Sequence, residues 1–231
     1  MRVLCIGDSL GLPREGVNYD GTWISKLKKA RPGDDFIGLF VRQLTSIDLV
    51  DVSSGKARGD FSYYYMPDVV VLQVGICDCA PRYYNSKKNI WKLIEKIGVR
   101  IVPERIYWRI IKFLFKRRAS AAYVPLNQFS MNIKIFIEYL INKLHVANII
   151  IIKIGKPDKN VLAKSPDMFS QIEKYNNVYT ELGDKYCDKV SVIDPLSEGD
   201  ERLYVDGYHT NERGGQVVFE SLIEEFILRG L

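Results

Sequence analysis

Two short stretches at opposite ends of the chain hold residue types suited to covalent acyl chemistry. Ser9 follows Gly7-Asp8 at the end of an apolar run, and His209 stands three positions after Asp206. A serine hydroxyl is a weak nucleophile until an imidazole takes its proton, and the imidazole works best when a carboxylate fixes its tautomer. Asp206-Gly207 also reads as a simple turn, so the C-terminal pair acquires meaning only beside the serine. The chain has one other histidine, His145, which ends an apolar helical pattern and reads as a structural or surface residue.

These residues need elements to hold them. Arg2 to Ile6 reads as a buried strand that delivers Ser9. From Gly21 to Leu44 the pattern is helical, broken at Pro32-Gly33. Ile47 to Val52 reads as a second strand, leading into the small-residue loop Ser53 to Gly59. Asp68 to Val74 is a third strand and stops at Gly75-Ile76-Cys77-Asp78. An amphipathic helix over Phe129 to Leu144 precedes a fourth strand, Asn148 to Ile154. Met168 to Tyr186 is helical, Lys189 to Ile193 a fifth strand, and Glu212 to Leu228 a closing helix. Such alternation requires right-handed crossovers and a parallel sheet with helices on both faces, and ligands of such sheets bind beyond the carboxyl ends of the strands. Ser9, the Gly75 turn and the Asp206 to Asn211 loop should therefore converge.

Gly7-Asp8-Ser9-Leu10 near the start and Asp206-x-x-His209 near the end resemble the GDSL or SGNH hydrolase superfamily, in the family's order and over nearly the whole chain. The resemblance implies a three-layer α/β/α sandwich with a roughly five-stranded parallel sheet in flavodoxin-like order. It implies Ser9 as nucleophile, His209 as base and Asp206 as its orienter. It also implies an oxyanion hole made by the Ser9 amide, a loop glycine after the second strand, for which Gly59 is the candidate, and an asparagine in a Gly-x-Asn-Asp turn. That last position holds Cys77, and a thiol is a feeble donor. Losing one such donor typically costs about 10²- to 10³-fold in rate. The backbone amides alone, a donor such as Arg58 or Arg82, or a slow or selective enzyme would each account for the departure; Cys77 as nucleophile is a further alternative. Asp8, Arg58, Asp78 and Arg82, which flank these motifs, are the expected substrate-binding residues. The turn from Gly75 to Arg82 is similar to a branch of the superfamily in bacterial surface-polysaccharide biosynthesis, which implies as substrate an O-acylated sugar or a sugar hydroxyl that receives an acyl group.

The chain has 231 residues, 47% hydrophobic and 26% charged, which suits one domain over residues 1–231. No cofactor and no metal site are expected, because Cys5, Cys77, Cys79 and Cys187 lack metal-ligand spacing. The net charge is +5, yet the segment 83–126 alone carries eleven Lys and Arg against two Glu, interleaved with Trp and Phe. It is longer than a usual βα connection and reads as a basic helical insertion, a lid or cap. A peripheral contact with an anionic membrane face and a plain helical subdomain are both open to it. Nucleic acid lacks a supporting motif. The apolar run at Val3 is too short for a secretory signal, and no run approaches the roughly 20 residues of a spanning helix, so a cytoplasmic protein is expected. The sequence thus leads to a serine esterase acting on an O-acylated, chiefly O-acetylated, carbohydrate. An O-acetyltransferase using the same residues and a catalytically weak glycan- or partner-binding module are the alternatives.

Overall fold

The computed structural model of the chain describes residues 1–51, 58–80, 103, 106, 109, 110 and 122–231. Most of the basic insertion, with Arg82, therefore lies outside the described residues. So do the side chains of Arg58 to Asp60.

Five strands, β1 (Arg2–Gly7), β2 (Asp35–Phe40), β3 (Val69–Gln73), β4 (Asn148–Ile152) and β5 (Val190–Ile193), form one sheet in the order β2-β1-β3-β4-β5. All pairings are parallel. Among the described residues the helices are α1 (Trp23–Ala30), α2 (Ser46–Val50), α3 (Arg58–Tyr65), α4 (Ile76–Cys79), α5 (Leu126–Asn142), α6 (Lys159–Lys164), α7 (Asp167–Lys185) and α8 (Glu212–Leu228).

Alternating side chains of the central strands feed two separate cores. Leu4, Ile6, Val70, Leu72, Ile149 and Ile151 pack with α2, α5 and α7 on one face. Val3, Cys5, Val69, Val71, Ile150 and Ile152 pack with α1 and α8 on the other. A strand buried on both faces must be apolar at every position, which is why β1, β3 and β4 read as continuous hydrophobic runs. The expected three-layer α/β fold, with its flavodoxin-like strand order, is what these two cores produce.

One pair of elements differs from the sequence reading. The second strand is Asp35–Phe40, which pairs with β1 from Arg2↔Asp35 to Gly7↔Phe40, and Ile47–Val50 is helical rather than extended. Phe36, Leu39 and Phe40 mimic helical spacing, but the Arg31 to Asp34 turn and the open edge of β1 draw the segment into the sheet. The apolar run at Ile47 is turned into a helix by its preceding cap: the Thr45 amide and hydroxyl both donate to Asp48 Oδ2, at 2.9 and 2.8 Å.

His145 is exposed and left-handed, φ 54°, just past the end of α5, which is the surface position expected of it. None of the four cysteines is in a disulfide. Among the described residues no helix is long and apolar enough to cross a membrane.

Candidate active site

Ser9 sits where β1 runs out. Asp8 donates its amide to the Gln73 carbonyl at 3.2 Å, extending the β1–β3 pairing by one residue. Its carboxylate then accepts from Leu10 N at 2.9 Å and caps the single 3-10 turn Ser9–Gly11. That turn lifts the serine out of the strand line. It lies tight on the sheet because Gly11 has no side chain: a Cβ there would run into the ring of Phe40. Among the described residues the Ser9 amide has no hydrogen-bond acceptor.

The second half of the site is a closed loop ahead of α8. Tyr204 and Thr210 bridge its base, Val205 N donates to His209 O at 2.8 Å, and Gly207 turns the backbone at φ 97°, a conformation that favours glycine. Asn211 locks the loop to the helix, its side chain accepting from Arg213 N and Gly214 N while donating to the Arg202 carbonyl at 2.8 Å. Within the loop Asp206 Oδ1 accepts from the His209 amide at 3.0 Å, an Asx-type turn that fixes the three-residue spacing.

These two pieces meet. Ser9 Oγ is 3.1 Å from His209 Nε2, and His209 Nδ1 is 2.7 Å from Asp206 Oδ2. The aspartate assigns the Nδ1 proton, which leaves Nε2 as acceptor for the serine hydroxyl. The ring of Tyr208 lies against that of His209 with centroids 4.1 Å apart. Burial lowers the pKa of His209 below the usual histidine value; Asp206 opposes this, and the positive charges of Arg14 and Arg42 add to it. Burial alone would raise the Asp206 carboxyl, but hydrogen bonds from the His209 amide and ring more than offset that, and it titrates low. The pair is thus a neutral imidazole beside a carboxylate near pH 7.

Arg14 had no motif to mark it in the sequence, yet it touches both halves. Its Nη2 donates to the Ser9 carbonyl at 3.0 Å and its Nη1 lies 3.6 Å from Asp206 Oδ2. A hairpin-like pair of bonds between Arg14 and Val17, 2.9 and 2.8 Å, holds the arginine backbone.

The other expected site residues divide. Asp8 is 0% exposed, so it is a capping residue beneath the serine and not a substrate contact. Its Oδ2 has no hydrogen-bond partner, and burial, aided by the charge of Asp78, pushes its pKa up to about 7. Asp78 is likewise 0% exposed. It accepts from Ser46 N and Ser46 Oγ, the latter at 2.7 Å, and Asn132 Nδ2 donates in turn to Ser46 Oγ. That network ties α4 to the start of α2 and to α5, a scaffolding role that acidic spacing alone could not distinguish from substrate binding. Cys77 is 7% exposed in the first turn of α4, beyond the carboxyl end of β3.

Gly59 is not in the loop that leaves β2. That loop is 41–45, held to β1 by Val41 N donating to Gly7 O at 3.1 Å, and it contains no glycine; its left-handed residue is Gln43, φ 60°. Gly59 falls in α3, one helix later, because the second strand lies earlier than its sequence pattern suggested.

By sequence the chain matches no described protein family and no curated protein. By structure it is similar to a lipase/acylhydrolase from Enterococcus faecalis, with TM-score 0.62, 16% identity, and 98% and 95% of the two chains covered. It is similar as well to a carbohydrate acetylesterase family member from Sinorhizobium meliloti, with TM-score 0.61, 16% identity and coverage of 100% and 99%. A lipolytic protein of the G-D-S-L family from Desulfitobacterium hafniense gives TM-score 0.59 at 16% identity, covering 96% and 98%. Over essentially its whole length, then, the chain has the fold of the GDSL/SGNH lipolytic hydrolases.

Proposed function

We propose that the chain is a serine ester hydrolase that removes an O-acyl group, an acetyl group above all, from a carbohydrate. The observation that carries this reading is the line Ser9 Oγ, His209 Nε2, His209 Nδ1, Asp206 Oδ2, with spacings of 3.1 and 2.7 Å at its two hydrogen bonds. In this reading Ser9 Oγ attacks the ester carbonyl as its proton passes to His209 Nε2. The Ser9 amide, at the head of the 3-10 turn, faces the developing oxyanion. Collapse gives acyl-Ser9, and the departing sugar hydroxyl takes the proton from His209. Water, deprotonated by the same nitrogen, then releases the acid.

A binding module has no use for a desolvated neutral imidazole aligned on a serine, so that alternative has less support. The acetyltransferase alternative needs only a sugar hydroxyl in place of water in the second half-reaction. The carbohydrate assignment is supported by the sequence resemblance around Gly75 to Arg82 and by the likeness to the Sinorhizobium meliloti carbohydrate acetylesterase family member. A cytoplasmic enzyme whose basic segment 83–126 rests on an anionic membrane face fits a glycan built on a lipid carrier. Salt-sensitive flotation with anionic liposomes tests that placement.

Acetate release from O-acetylated sugars, measured with the wild type and with Ser9→Ala, tests the function. Release that depends on Ser9 supports it, while equal release from both proteins, or none from any acetylated sugar, overturns it.

A further inference from the structure

A concavity opens on the same edge of the sheet as Ser9 but two strands away. It has a volume of about 590 Å3 and lies among the carboxyl ends of β4 and β5 and one face of α7. That volume is in the range of small-molecule sites. Adjacent strands are about 4.8 Å apart, so β4 stands roughly 10 Å from β1 along the sheet. The cavity also borders β5, one strand further out, so a glycan held at both places must be longer than one sugar ring.

The lining is of mixed charge with a small positive excess. Lys153, Lys156 and Lys174 face the space against Glu173 and Asp194. Glu173 and Asp194 offset part of that charge and leave an excess of one positive charge in the lining. Lys153 Nζ is 3.9 Å from Asp194 Oδ2, at the limit of an ion pair, and Lys156 Nζ lies 4.9 Å over the ring of Phe169, which supplies an apolar wall. Among the described residues Lys174 has no ion pair.

The floor is held by backbone clamps. Asn176 clamps the backbone of Ile154, donating to its carbonyl and accepting from its amide, both at 2.9 Å. The same β4–α6 loop runs on to the catalytic loop: Tyr204 Oη donates to the Lys156 carbonyl at 2.7 Å, and Asp158 N donates to the Gly207 carbonyl at 2.8 Å. One backbone segment therefore holds a lysine of the cavity and braces the turn between Asp206 and His209.

We propose that this cavity is a subsite for an anionic sugar, one bearing a carboxylate or a phosphate, recognised by Lys153, Lys156 and Lys174 with its apolar face against Phe169. The proposal deepens the carbohydrate reading and rests on it for its place in the reaction, but sugar binding can be measured without any turnover. Calorimetric titration of the full chain with glucuronate, glucose 6-phosphate, glucose and inorganic phosphate tests it. At least one of the two anionic sugars binds tenfold or more tightly than glucose and than inorganic phosphate, and the affinity falls with added salt. Lys174→Met and Lys156→Met each weaken that binding about tenfold, the weight of one charged hydrogen bond, while melting temperatures show that both variants fold. Equal affinity for glucose, equal affinity for bare phosphate, no binding of either anionic sugar, or unchanged affinity in both folded variants overturns the subsite. Sugar binding without ester hydrolysis would retain the subsite and remove the catalytic reading.

Discussion

The guanidinium of Arg14 donates to the carbonyl of Ser9 at 3.0 Å and, through its other terminal nitrogen, stands 3.6 Å from Asp206 Oδ2. One side chain thus spans the gap between the nucleophile's turn and the loop that holds the base. It places a positive charge where the imidazolium would form, and so helps keep His209 neutral. Removing that charge raises the histidine pKa. Arg14→Met therefore shifts the acid limb of kcat/KM to higher pH and lowers kcat/KM about tenfold through looser positioning. A pH profile that superimposes on the wild type shows that Arg14 has neither effect.

Catalysis by a neutral His209 is lost as pH falls through its pKa, which burial sets below the ordinary 6.5. The acid limb of the wild-type profile accordingly has its midpoint below pH 6.5. Asp206→Asn leaves the ring in the wrong tautomer and lowers kcat by about 10³- to 10⁴-fold. The check is a steady-state profile with a soluble acetyl ester, and a midpoint at or above pH 7 contradicts the assigned environment.

Asp8 provides a stability test that does not involve turnover. Its folded-state pKa, about 7, lies above the value it has when unfolded. The unfolded chain gives up this proton from about pH 4 while the folded chain retains it, so stability declines as pH rises from there to about 7, and the decline then stops. In Asp8→Asn this component is absent. The melting temperature of the wild type relative to that variant falls by several °C between pH 4 and pH 7, at about 2–4 °C per kcal/mol for a chain of this length. A constant difference across that range means the Asp8 carboxyl is not held protonated.

Gly11→Val tests the seat of the nucleophile's turn. The added side chain must displace the Phe40 ring, which itself meets Trp23 edge-on with centroids 5.5 Å apart. Overpacking of this kind costs about 1–3 kcal/mol. Thermal or urea unfolding reads the loss, and an unchanged midpoint shows that Phe40 moves aside freely.

The site's chemistry was legible in the sequence wherever local covalent spacing does the positioning. Asp206 and His209 are three apart because an Asx-type turn joins them, and Glu212–Leu228 begins where Asn211 caps it, so both could be read from neighbouring residues alone. β2 was not legible, because Phe36, Leu39 and Phe40 carry a helix-like spacing and only pairing with a strand 33 residues away decides otherwise. The same error moved the expected loop glycine to Gly59. Asp8 and Asp78 flank the right motifs, but whether a carboxylate faces substrate or caps a helix depends on burial, a property of the assembled layers. Arg14 and the lysines of the cavity beside β4 come together from segments with no shared pattern, and nothing short of three-dimensional packing brings them into view.

Every step of the reaction depends on activation of the Ser9 hydroxyl by His209. Labelling of the intact chain with a fluorophosphonate, followed by peptide mass spectrometry, tests it most directly. One adduct forms, on Ser9, absent in Ser9→Ala and formed orders of magnitude more slowly in His209→Ala. An adduct on Cys77 in place of Ser9, or labelling of Ser9 at the same rate without the imidazole, would contradict it.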